Sequence, residues 1–122
     1  MSNETYFFDT YALIEIISGN PKYEKYKGSG IITSIFNLAE LNYILKKTMP
    51  KKKADEYTTD YEDFAADVEL DDVVEAMDLK TKFRKLSIPD AIGYAVAKRF
   101  DVKFLTGDSD FEGFDNVEFV KK

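Results

Sequence analysis

The chain contains neither histidine nor cysteine. Without cysteine there is no disulfide scaffold and no thiolate to act as nucleophile or zinc ligand. Without histidine, Ser–His–Asp and Cys–His catalysis are excluded, as is acid–base work by a pair of imidazoles. No glycine-rich phosphate loop is present. No apolar run approaches the roughly 20 residues that span a bilayer. The start, Met1-Ser2-Asn3-Glu4, lacks the basic opening of a signal peptide, and Asp9 breaks the apolar stretch that follows. A soluble, cytoplasmic protein with no membrane association is expected. An excess of positive charge is missing too: the net charge is −6 and the pI about 4.7, which taken bluntly argues against nucleic-acid binding.

The cations that exist are clustered. Lys46, Lys47, Lys51, Lys52 and Lys53 form one group, and Lys80, Lys82, Arg84 and Lys85 another. Acid is densest in 55–78, which holds 11 of the 23 acidic residues. Such patches can bind phosphate on an acidic protein, although a solvated helix end explains each of them.

A length of 122 residues suits one domain, spanning 1–122, and 44% hydrophobic residues with 10 Phe and 8 Tyr suit an ordered core. Tyr6-Phe7-Phe8 reads as a buried strand and Ala12 to Ile17 as a helix stopped by Gly19-Asn20-Pro21. A short helix can follow from Pro21 to Tyr26. Gly30 to Thr33 is a strand or a helix lead-in. Asn37 to Lys47 is helical, with Leu38, Leu41 and Leu45 on one face. Lys53 to Phe64 is a further helical stretch, with Tyr57, Tyr61 and Phe64 aligned. These three can form a dimer or partner surface, or pack into the core. Val68-Glu69-Leu70 reads as a short strand. Asp71 then caps a helix through Val74, Met77, Leu79 and Phe83. Ser87 starts another, with Ile92, Ala95, Val96 and Phe100 inward. Lys103 to Thr106 and Val117 to Val120 are strands. Strands alternating with helices predict an α/β fold whose parallel sheet is covered on both faces. Ligands gather at the carboxyl ends of such strands.

Four acids stand where apolar runs stop: Asp9, Glu40, Asp90 and Asp108. Each has a structural explanation. Asp9 can cap a helix. Asn37 with Glu40, and Ser87 with Asp90, match capping boxes. Asp108 suits an Asx turn, with Asp110 as a peripheral oxygen donor. Their joint placement is not explained in this way. Carboxylates gathered in one pocket repel unless a cation joins them or some stay protonated. Mg²⁺ and Mn²⁺ take such oxygen ligands, whereas zinc sites usually draw on His or Cys. One or two such ions could polarise a phosphodiester and activate water. A phosphatase of the haloacid-dehalogenase type would need a second Asp at position 11, which is Tyr. A receiver domain would need an acidic pair after its first strand and a Lys after its last.

These residues resemble the PIN domain family, and within it the small VapC-type toxins of prokaryotic toxin–antitoxin pairs. Phe8-Asp9-Thr10-Tyr11-Ala12-Leu13-Ile14 is similar to the opening motif. Asn37-Leu38-Ala39-Glu40-Leu41, Leu86-Ser87-Ile88-Pro89-Asp90-Ala91 and Phe104-Leu105-Thr106-Gly107-Asp108-Ser109-Asp110-Phe111 are similar to the second, third and fourth. The likeness spans essentially the whole chain in the family's order. Tyr11 departs from it, since many members carry Ser or Asn there. The resemblance implies a three-layer α/β/α sandwich with a central parallel sheet and Mg²⁺- or Mn²⁺-dependent cleavage of RNA. It also implies a homodimer and a cognate antitoxin that blocks the pocket. Asp9, Asp90 and Asp108 would hold the principal ion, and Glu40 would complete the site or serve a second ion. Thr106 matches a hydroxyl residue near the family's metal pocket. Two other readings stay open: a non-catalytic module that binds RNA or protein, and an RNA-processing nuclease that is not a toxin.

Overall fold

The computed structural model describes residues 4–122. The opening residues, read above as lacking a leader's basic start, lie outside the described ones through position 3. Five parallel strands form the sheet: β1 (Thr5–Phe8), β2 (Gly30–Ser34), β3 (Ala65–Ala66), β4 (Lys103–Thr106) and β5 (Val117–Phe119). Their order is β3-β2-β1-β4-β5. Helices α1 (Thr10–Ser18), α2 (Ile35–Lys46), α3 (Lys51–Thr59), α4 (Leu70–Lys82) and α5 (Ile88–Arg99) connect them. Short 3₁₀ turns lie at Pro21–Tyr26, Glu62–Phe64 and Ser109–Phe111.

Strand alternation splits the core into two halves. Tyr6, Phe8 and Leu105 pack on one face with Leu13, Tyr23, Leu38 and Leu41. Phe7 and Phe104 turn to the other face, where α5 lies. Their rings stack with centroids 5.6 Å apart. Gly93 lets α5 come this close, since a Cβ there would meet the Phe7 ring at 2.7 Å. The result is the three-layer α/β/α sandwich, with α4 packed along α5. No helix among the described residues is long and apolar enough to cross a membrane.

Several expectations are corrected. Val68-Glu69-Leu70 is not a strand. The strand is Ala65–Ala66, paired with Thr33 and Ser34. Glu69, not Asp71, occupies the cap position of α4, and Asp72 Oδ2 accepts from its N–H at 2.9 Å. Helix α2 begins at Ile35 rather than Asn37, with Ser34 as its cap. The Lys53–Phe64 stretch is instead α3 from Lys51 to Thr59 followed by a turn. Tyr57 and Tyr61 pack against the core, while Phe64 is exposed. Phe83 and Phe100 are exposed because they cap helix ends beyond the covered turns, and Val74 because it lies off the α4 face that Val73, Ala76 and Met77 pack into the core. Gly30–Ser34 is a strand that enters α2 directly.

Candidate active site

The chain leaves β1 for β2 on one side and returns through β4 on the other. This reversal opens a crevice beyond the carboxyl ends of β1 and β4, where open sheets bind ligands. Phe8 pairs with Leu105 in register, and Asp9 N–H donates to Leu105 C=O at 3.3 Å. Asp9 and Thr106 therefore follow side by side.

Asp9 is buried. It caps α1, with Oδ1 accepting from Ala12 N–H at 2.7 Å. Its Oδ2 is fully enclosed and has no hydrogen-bond partner among the described residues. Burial pushes this carboxyl well above the ordinary carboxylate range. The Thr106 hydroxyl and the Ala12 N–H oppose that rise, while the Asp90 and Asp108 charges add to it.

Asp90 sits in the first turn of α5, with Pro89 before it and Ser87 Oγ accepting its N–H at 3.1 Å. Burial first, then the Glu40 and Asp108 charges, push its carboxyl up to about 6 against the hydrogen bonds with Ser87. Asp108 caps the last 3₁₀ turn. Its Oδ1 accepts from Asp110 N–H at 2.9 Å, and its own N–H donates to Thr106 Oγ1 at 3.0 Å. Asp110 lies partly exposed on that turn. Glu40 lies half-buried in the second turn of α2. It is not a capping partner, since Ser34 Oγ takes the Asn37 N–H at 3.2 Å. Its charge acts on Asp90.

The fold thus brings all four acids into one electrostatic neighbourhood, with Asp90 facing both Glu40 and Asp108. None of them makes an ion pair with Lys or Arg among the described residues. Nor do any three acids there stand in a ready-made metal cage. The donor set is all oxygen, one oxygen is buried and unsatisfied among the described residues, and burial together with the neighbouring acids' charges raises the Asp9 and Asp90 carboxyls. These features fit a hard cation such as Mg²⁺ or Mn²⁺, which would satisfy Asp9 Oδ2 and cancel the repulsion.

A second set of residues escaped the reading of the sequence. Ser34 Oγ donates to Asn37 Oδ1 at 2.7 Å, and Asn37 Nδ2 donates to Thr10 Oγ1 at 3.3 Å. Thr10 Oγ1 donates in turn to Asn37 C=O at 3.3 Å, and Thr33 Oγ1 to Phe8 C=O at 2.9 Å. All four side chains are buried. This network locks the starts of α1 and α2 together, and so positions Asp9 relative to Glu40. The signal available was polar Thr33-Ser34 directly after apolar Ile31-Ile32. Tyr11 has a different use from the Ser or Asn of the resemblance. Its ring covers Gly107, where a Cβ would collide with it and with Val120 C=O, and its hydroxyl accepts from Lys122 N–H at 3.3 Å.

A parallel sheet in this order, with acids at its switch point, makes an open α/β sandwich of PIN kind. The chain belongs to the PIN domain family, whose model matches residues 6–117. Its fold is shared by solved toxin–antitoxin proteins. A toxin–antitoxin complex from Klebsiella pneumoniae superposes with a TM-score of 0.75 at 21% identity, covering 96% of this chain and 99% of that one. Mycobacterium tuberculosis VapC20, described as a toxin cleaving the sarcin–ricin loop, gives 0.76 at 18% identity, covering 96% and 98%. VapBC2 from Rickettsia felis, bound to a promoter DNA fragment, gives 0.71 at 18%, again covering 96% and 98%. No curated protein matches the sequence.

Proposed function

We propose that the chain is a divalent-metal-dependent endoribonuclease and the toxin of a type II toxin–antitoxin pair. The observation that carries this reading is Asp9 Oδ2, a buried acceptor with no partner among the described residues, set among carboxylates that no Lys or Arg neutralises. Asp9, Asp90 and Asp108 would hold Mg²⁺ or Mn²⁺, with Glu40 completing the site through Asp90. When bound, the ion supplies Lewis-acid polarisation of the phosphodiester and a water activated for attack. Asp9 is held rigidly by its cap bond, so its free oxygen is fixed in direction. Thr106 holds the Asp108 backbone through its hydroxyl and eases ionisation of Asp9. Asp110 stands at the rim. Toxin–antitoxin complexes among the similar structures support a cognate antitoxin as partner. A homodimer and a cytoplasmic site of action rest on the family resemblance.

The test is cleavage of a structured RNA with Mg²⁺ or Mn²⁺, with a chelator control. Parent, Asp9→Asn and Asp90→Asn are compared. Cleavage by the parent alone is expected, and cleavage by both variants at the parent's rate would sink the site. Growth arrest on expression, relieved by a co-expressed neighbouring gene product, would separate a toxin from an RNA-processing nuclease.

A further inference from the structure

The two basic clusters, alike in sequence, differ in the fold. Around α2 and α3, most of the cations are occupied. Lys46 and Lys51 bind Asp55 at 3.1 and 2.6 Å, Lys47 lies 4.3 Å over the Tyr43 ring and Lys53 6.0 Å over Tyr57. Between Asp78 and Asp90 the chain has four cations and no acid. Among the described residues only Lys80 is used internally there, donating to Leu86 C=O at 2.6 Å and Arg84 C=O at 3.2 Å. The loop is wrapped round that ammonium and pinned by buried Leu86. Lys82, Arg84 and Lys85 are left exposed, with no ion-pair partner among the described residues. This loop joins the end of α4 to the start of α5, where Asp90 stands.

Within the same loop, the Phe83 ring is exposed. It rests against Phe114, with centroids 4.8 Å apart. Beside it lies a groove of ≈ 480 Å³ whose lining includes Phe83, Tyr94, Lys98, Glu112, Phe114 and Asp115. Three of its lining residues, Phe83, Tyr94 and Phe114, are aromatic. Lys98 pairs with Asp115 at 3.5 Å there, and Glu112 disfavours a phosphate but not a neutral base. Three free cations and an exposed ring, held on a pinned loop, match what single-stranded nucleic acid needs: phosphates on Lys and Arg, bases stacked on aromatics. The acidic pocket itself repels a polyanion, so a cationic lead-in beside Asp90 offsets that repulsion.

We propose that the 82–85 loop is the strand-binding edge of the site. Lys82, Arg84 and Lys85 take backbone phosphates of single-stranded RNA that flanks the cleaved bond, and a flanking base stacks on Phe83 in the adjoining groove. This rests on the nuclease reading for its substrate.

The probe is a fluorescent single-stranded oligoribonucleotide of about a dozen nucleotides, within the range one binding groove covers. It is titrated in EDTA, so that binding is read without cleavage. Combined Lys82→Gln, Arg84→Gln and Lys85→Gln should weaken binding by about tenfold or more and flatten the log–log salt slope by about 2, since each single-strand phosphate contact contributes about 0.7. Phe83→Ala should weaken binding by about fivefold or more and leave that slope unchanged. The charge-matched control, Lys47→Gln, Lys52→Gln and Lys53→Gln, should bind like the parent. Thermal melts check that each protein is folded, and single Arg84→Gln carries the test if the triple is not. Parental affinity and slope in the loop variants overturn the proposal, whether the loop then proves idle or serves a protein partner. Equal loss in the control overturns it also. A parent that cleaves RNA while the loop variants bind normally refutes the loop alone. A parent that never cleaves, yet binds through the loop, refutes the nuclease reading alone.

Discussion

Asp9 and Asp72 are equally hidden, at 1% and 2% exposure, and lie toward opposite ends of α5. They meet opposite fates. Both Asp72 oxygens accept from Arg99 Nε at 3.0 Å, and Oδ2 also takes the Glu69 N–H at 2.9 Å. Burial works to raise that carboxyl, but the Arg99 and Glu69 hydrogen bonds win and hold it below the usual range. Asp9 has burial without a cation. Its carboxyl is raised, and one oxygen is left unsatisfied among the described residues. A fold that encloses a carboxylate and supplies its counter-ion is building a strut between α4 and α5. A fold that encloses one among other carboxylates leaves its charge without an internal counter-ion among the described residues.

Asp9→Asn breaks this contrast with the largest effect. The variant keeps an oxygen for the Ala12 N–H, and Asn caps helices as well as Asp. It removes a carboxylate whose charge the fold disfavours. The metal-free protein should melt at or above the parent's temperature, while Mn²⁺ affinity by calorimetry falls by more than about 100-fold, beyond the loss typical of a ligand's outer partner. A large drop in metal-free stability with intact Mn²⁺ binding would make Asp9 a strut like Asp72.

The reverse experiment is Arg99→Met. It leaves Asp72 buried without its cation, so the melting temperature should fall by on the order of 10 °C. Asp72→Asn should cost less, because Arg99 is partly exposed and can be solvated. Mn²⁺ affinity of the folded fraction should be unchanged in both. If either variant loses metal binding with its fold intact, the two ends of α5 are not independent.

A third test is titration. Asp90 has a folded pKa of about 6 against an ordinary 3.8. Between those values the folded state holds a proton that the unfolded chain has released. The stability this group contributes is therefore fully present below about pH 4 and is lost as pH rises to about 6. Asp9 acts in the same direction. Asp72, with its lowered pKa, works oppositely at more acid pH. Metal must displace the retained protons, so stabilisation by Mn²⁺ should grow as pH rises from about 4 through about 6. Melting curves across that range, with and without Mn²⁺, measure this. A Mn²⁺ effect independent of pH would mean that Asp90 is not a ligand.

This contrast explains what could be read from the sequence. Asp9, Asp90 and Asp108 were legible because each follows an apolar strand or opens a helix, and a parallel sheet gathers such points at one end. The counter-ions were not legible. Arg99 lies far along the chain from Asp72, and only the antiparallel packing of α4 on α5 joins them. The same limit hid the difference between the lysine clusters, since Asp55 occupies Lys46 and Lys51 across two helices. Strand β3 was misplaced because two alanines carry no alternation. The α2 cap was misjudged because Ser34 with Asn37 and Asn37 with Glu40 both have cap spacing. Burial decided for Ser34, whose hydroxyl closes the network with Asn37 and Thr10.

The smallest effect is expected at Tyr11, which borders the pocket without joining the acids. Phenylalanine there keeps the ring over Gly107 and removes only the hydroxyl that accepts from Lys122 N–H. That bond lies toward the surface and spans 3.3 Å, so its loss should cost no more than about 1 kcal/mol. Mn²⁺ affinity should stay within about twofold of the parent, because the phenol spends its hydrogen bond on the C-terminal backbone. Calorimetry of Tyr11→Phe reads this directly. A larger loss of metal binding would move Tyr11 from the pocket wall into the metal site, and the contrast would then lie between acids with an internal cation and a site that includes a phenol.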